Sequence, residues 1–191
     1  MDETILRQVG RLSRPFLILL TIALGLIVVV QGAEIAAMLF LFHGGDGWRA
    51  AVSSSAAGIS LSIAAATDAP AGAPLEALSL GQRAALALLA ALCAASAGFA
   101  VFHLRQLFAL YARGEIFAQA NISHIKRFGL WLAASGVVVN VAGRLFAVVT
   151  GEPSHGLANA VMALVFGGMT YVVARVMELG RQADVERREF V

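Results

Sequence analysis

Leu104-Arg-Gln-Leu-Phe-Ala-Leu-Tyr-Ala-Arg-Gly-Glu-Ile-Phe-Ala-Gln-Ala-Asn-Ile-Ser-His-Ile-Lys-Arg-Phe-Gly129 is a polar interval between two strongly apolar runs. It carries Arg105, Arg113, Lys126 and Arg127 against Glu115 alone. Such a basic connector divides the apolar sequence into two hairpins and marks the side of a membrane on which it lies. Arg113-Gly114 reads as a helix stop, since glycine after the last turn accepts the left-handed conformation that ends a helix. An amphipathic stretch, Phe117 to Phe128, follows. Phe117 is expected to fold back on Leu107 or Phe108, and Asn121 to hold the turn through a local backbone hydrogen bond.

Outward from the connector the chain is apolar. Of 191 residues 59% are hydrophobic and 14% charged, and the mean hydropathy is +0.80. Soluble domains carry about 25% charged residues. The surplus apolar surface exceeds what one small core can hide and belongs in lipid. The reading is an all-α integral membrane four-helix bundle, one membrane domain over residues 1–191. Its spans fall near 16–42, 82–108, 129–149 and 156–177, with an external loop at 43–80, the connector at 104–129 and a charged tail at 178–191. Residues 1–14 read as the start of an interfacial helix, and Pro15 as part of the first turn of span one. The 43–80 segment is rich in Ala, Ser, Gly and Pro, consistent with a short interfacial helix or with loose order. Ser79, with Gln82 three residues on, resembles a capping box opening span two. Ala90, Ala94 and Gly98, four apart, offer a small-residue face for close helix approach. The first apolar run is too long for a cleavable signal.

Arginine and lysine counting sets the orientation. Three lie in the N-terminal segment, four in the connector and four from Arg175 onward, against Arg49, Arg83 and Arg144 elsewhere. The bias places both termini and the connector in the cytosol.

Chemistry has few candidates. Gln31 and Glu34 share a face of span one, and Gly136, Asn140 and Arg144 recur at four-residue spacing in span three. Glu34 is 20 residues from Arg14 and Arg144 is 17 from Arg127, about 30 and 26 Å along the helices. They are therefore expected to pair, with Asn159 of span four at similar depth. Such a group is either a polar site open to the exterior or an interhelical ion pair, since intramembrane charge seeks a partner or water. Cys93 is the single cysteine and reads as a small apolar packing group. His43, His103, His124 and His155 show no metal-ligand spacing, two falling on each side. No nucleophile elbow, metalloprotease motif or phosphate loop occurs, so neither catalysis nor a cofactor is expected. No basic stripe with interleaved aromatics points to direct nucleic-acid binding.

The connector resembles the central signature of a family of small bacterial four-span membrane proteins classed as a domain of unknown function. The matching residues are Leu104, Leu107, Phe108, Gly114, Phe117, Asn121, Arg127, Phe128 and Gly129, with the charged C-terminal end closing on Phe190-Val191. Ala118, where the family commonly has Ser or Thr, and Arg187-Arg188, where it has acidic and Asn residues, depart from the pattern. The resemblance implies the bacterial inner membrane. It also implies a cytosolic partner, since members are often encoded beside an Xre-type helix-turn-helix regulator, and it carries no established activity. Two functions follow. One is a non-enzymatic membrane protein acting through interaction with a regulator. The other is a homo-oligomeric transport or channel subunit built on Gln31, Glu34, Asn140, Arg144 and Asn159.

Overall fold

The structure, a computed structural model, describes residues 3–41, 48–55, 58–65, 73–113, 119–151 and 158–189. Four helices carry the chain: α1 (Glu3–Ala36), α2 (Leu80–Ala112), α3 (Gln119–Thr150) and α4 (Ala158–Glu189). Each contains a window long and apolar enough to cross a membrane. At about 1.5 Å per residue each helix is roughly 50 Å long, well beyond the 30 Å of a hydrocarbon layer. In α1 none of the apolar window is buried.

Two helix boundaries differ from expectation. Pro15 lies inside α1, not at its start. An internal proline removes one backbone hydrogen bond, but Ile, Leu and Val continue on both sides and the helix runs through. The tail expected to follow span four instead continues α4 as far as Glu189.

Between α1 and α2 the chain departs from all-α. A π-helical turn, Ala37–Leu41, leads to β1 (Trp48–Ser55), β2 (Gly58–Ala65) and β3 (Ala73–Pro74). They form an antiparallel sheet in the order β2-β1-β3, with Val52 opposite both Leu61 and Ala73. Where it is described, the segment expected to be loose or helical thus contains a sheet. Ile59-Ser60-Leu61-Ser62-Ile63 alternates apolar and hydroxyl side chains with the two-residue period of a strand, and the Ser53 and Ser60 hydroxyls meet across the pair at 3.3 Å. A 3₁₀ turn, Leu75–Ala77, then brings the chain to α2.

The chain divides into two compact units. One comprises residues 1–25, 97–134 and 163–191; the other comprises 26–96 and 135–162. The second, here the sheet unit, has a core of Met38, Val52, Ile59, Leu75, Leu86, Ala90, Cys93 and Phe146. Cys93 is a buried free thiol in that core, as its apolar setting suggested. The expected capping box is present. Ser79 N–H donates to Gln82 Oε1 at 2.8 Å, and Gln82 N–H donates to Ser79 Oγ at 3.3 Å. Gln82 Nε2 also donates to the Val149 carbonyl, tying the start of α2 to the end of α3. That end is closed by Gly151, whose φ of 77° favours glycine and whose N–H returns to Ala147 O.

Candidate functional site

The first unit, here the connector unit, holds the signature. Leu107, Ile122, Ile125 and Ala174 are buried together, with Leu104, Tyr111 and Met177 packed around them. The spacing explains the convergence. Leu104, Leu107 and Tyr111 form one stripe of α2, and Ile122 and Ile125 one stripe of α3. Asn121, beside that stripe, is fully buried. Phe108 does not join this cluster. It stacks on Phe16 of α1 at a centroid distance of 5.3 Å, with Tyr111 edge-on at 6.1 Å. Gly114 and Phe117, with the expected fold-back of Phe117, lie outside the described residues.

Gly129 ends the signature and makes its closest contact. A Cβ there would stand 2.8 Å from Gly167 O. A Cβ on Gly167 would meet Gly129 O at 2.5 Å and Ala133 Cβ at 2.8 Å. α3 and α4 therefore cross backbone to backbone, the use of small residues expected in lipid. The stripe singled out in span two does something else. Ala90 is buried in the sheet-unit core, but a Cβ on Gly98 would meet nothing within 4 Å.

Polar groups lock this unit. Lys126 of α3 donates to Glu178 of α4 at 2.7 Å, and Arg175 donates to the same Glu178 oxygen. His103 and His124 place their Nδ1 atoms 3.3 Å apart, one donating to the other according to tautomer. The topology read from the sequence puts both on the connector side, and they lie ten residues before Arg113 and ten after Gly114. His43 and His155 lie outside the described residues, among which no group of three metal-ligating side chains occurs. Lys126 with Glu178 was not foreseen, because 52 residues separate them. Arg113, Arg127 and Arg175 remain exposed.

The described members of the outer polar set do not assemble. Among the described residues no hydrogen bond or ion pair links Gln31, Glu34, Asn140 and Arg144 to one another, so the expected Glu34–Arg144 pair is absent. Each step of four residues turns a helix about 40°, so Gly136 and Arg144 differ by about 80°. Gly136 is buried, Asn140 half-buried and Arg144 exposed. The inward stripe of α3 here is Val138, Val139, Ala142, Phe146 and Val149, and Arg144 falls on the other side. Glu34 turns instead to the sheet, where the Leu61 backbone N–H donates to its carboxylate. Its Oε2 is buried with no hydrogen-bond partner. The side chain of Asn159 lies outside the described residues.

Beside this geometry, sequence comparison adds a family. A family model described as a protein of unknown function (DUF2975) matches residues 55–184. The chain belongs to this family. The DUF2975 match spans β2, the whole of α2 and α3 and most of α4, so it reaches well upstream of the connector signature. No curated protein and no solved structure matches the chain.

Proposed function

We propose that this DUF2975 chain is a multi-pass protein of the bacterial inner membrane, with both termini and the connector cytosolic. It acts without catalysis, by docking a soluble partner on the connector unit, and the partner class is a helix-turn-helix regulator. The observation that carries this reading is the division of labour inside the signature. Leu107, Asn121 and Gly129 are drawn inward and fix one shape, while Arg113 and Arg127 stay exposed. A fixed basic face recruits an acidic partner surface by charge complementarity.

The topology is tested by fusions at Ala71 and after Val191. Alkaline phosphatase activity from the terminal fusion would end the cytosolic assignment. Docking is tested by recovering partners of the tagged protein in mild detergent. Arg113→Glu with Arg127→Glu is expected to lower recovery several-fold at unchanged folded yield; unchanged recovery would sink the docking role.

One observation favours the second reading, an oligomeric transport or channel subunit. Glu34 Oε2 is buried and unpartnered, and an intramembrane carboxylate of that kind commonly marks a pathway. A substrate flux that survives Glu34→Gln in reconstituted vesicles would remove that support.

A further inference from the structure

Arg105 of α2 donates through Nε to Thr21 Oγ1 of α1 at 2.9 Å. Thr21 in turn donates its hydroxyl proton to the Leu17 carbonyl at 2.7 Å. The threonine proton is thereby committed to its own helix, and its lone pairs face the guanidinium. This relay fixes the plane of the Arg105 fork, and among the described residues no hydrogen bond engages its terminal nitrogens. Among the described residues no carboxylate pairs with Arg105.

The position makes the unmatched charge informative. Thr21 lies seven residues beyond Arg14, about 10 Å further along α1. Arg105 lies eight residues before Arg113, about 12 Å back from the end of α2. At that level α1 exposes Ile18, Leu19 and Ile22, each more than half accessible, a surface suited to acyl chains. Arg14, exposed and on the same face of α1 as Thr21 by its seven-residue spacing, stands nearer the helix end. The Phe16–Phe108 stack holds α1 and α2 together beside this cleft.

We propose that the α1–α2 cleft is a binding site for one anionic phospholipid of the adjoining leaflet. The terminal nitrogens of Arg105 take the phosphate as a two-pronged donor, the geometry for which guanidinium is suited and ammonium is not. Arg14 adds charge from the headgroup side, and an acyl chain lies along Ile18, the one of these three residues nearest in angle to Thr21 around α1. The phosphate supplies the counter-charge that the protein withholds, in the manner of basic pockets between membrane helices.

The purified full-length protein in neutral detergent is titrated with dioleoylphosphatidylglycerol, dioleoylphosphatidylcholine or inorganic phosphate, reading retained adducts by native mass spectrometry and melting temperature in parallel. Phosphatidylglycerol is expected to be retained and to raise the melting temperature, and the other two to do neither. Arg105→Gln should weaken phosphatidylglycerol binding about tenfold. Thr21→Val, which keeps the shape but loses the acceptor, should weaken it about threefold. Arg105→Lys should bind more weakly than the native chain, and Arg144→Gln should bind like it. Equal retention of the two lipids, reproduction of the effect by phosphate alone, or native affinity in both Arg105→Gln and Thr21→Val would overturn the site. If Arg105→Gln does not fold, Thr21→Val decides alone: native affinity overturns the site and reduced affinity supports it.

Discussion

The two units solve the same problem by different means. The sheet unit combines an apolar core, with Val52, Leu75, Leu86 and Phe146 almost wholly buried, with the backbone hydrogen bonds of its strands and the tie from Gln82 to the Val149 carbonyl, and leaves a Glu34 carboxylate oxygen unmatched. The connector unit has a smaller apolar cluster but adds a backbone crossing at Gly129 and Gly167, a His103–His124 contact and the Lys126–Glu178 pair. Packing alone tolerates variation in shape, whereas directional contacts fix one arrangement.

The crossing offers the sharpest way to break this contrast. Gly167→Val is expected to cost on the order of 3 kcal/mol, because the atoms that a Cβ would meet include backbone that cannot swing aside. Gly168→Ala next to it meets open space and should leave the melting temperature in detergent unchanged. Equal melting of the two variants would show that the helices do not approach as described.

In the sheet unit Phe146→Ala should cost about 3 kcal/mol by leaving a cavity, measured as lost thermal stability. A loss as small as that of an exposed residue would mean that the sheet does not close over α3.

Glu34 and Arg144 come next. Without a shared ion pair their effects should be independent and additive. Glu34→Gln should be neutral or stabilising by about 1 kcal/mol, since it removes a buried charge with an unmet acceptor. Arg144→Gln should stay within about 0.5 kcal/mol, as for other exposed positions. A double mutant more stable than the sum of the single variants would restore the pair that the structure lacks.

The smallest effect belongs to the connector unit's ion pair. Lys126→Gln should lower melting slightly at low salt and not at all in concentrated salt, where the native pair is screened. A loss that persists at high salt would place the pair in a drier setting than its partial exposure indicates.

Much of the architecture was legible because its causes are local. Ser79 and Gln82 form their box across three residues, and Arg113-Gly114 marks the end of α2, whose last helical residue is Ala112. The sheet was also written locally, in the alternation from Ile59 to Ile63, but the surrounding Ala, Gly and Pro obscured it. The polar set around Arg144 was misread for a geometric reason: four-residue steps rotate slowly around a helix, and a small error in facing separates two side chains completely.

By itself the sequence determined four long apolar helices and the connector between α2 and α3. These follow from hydropathy, capping chemistry and a period of 3.6 residues, all properties of neighbours along the chain. Only the tertiary structure decided that Gly129 meets Gly167, that Lys126 meets Glu178, that Arg105 rests on Thr21, and that Glu34 faces Leu61 and not Arg144. Each of those contacts depends on the rotation of one helix against another element. A rotation of about 100°, one residue's worth, exchanges a buried partner for an exposed one, and only packing between elements sets that angle.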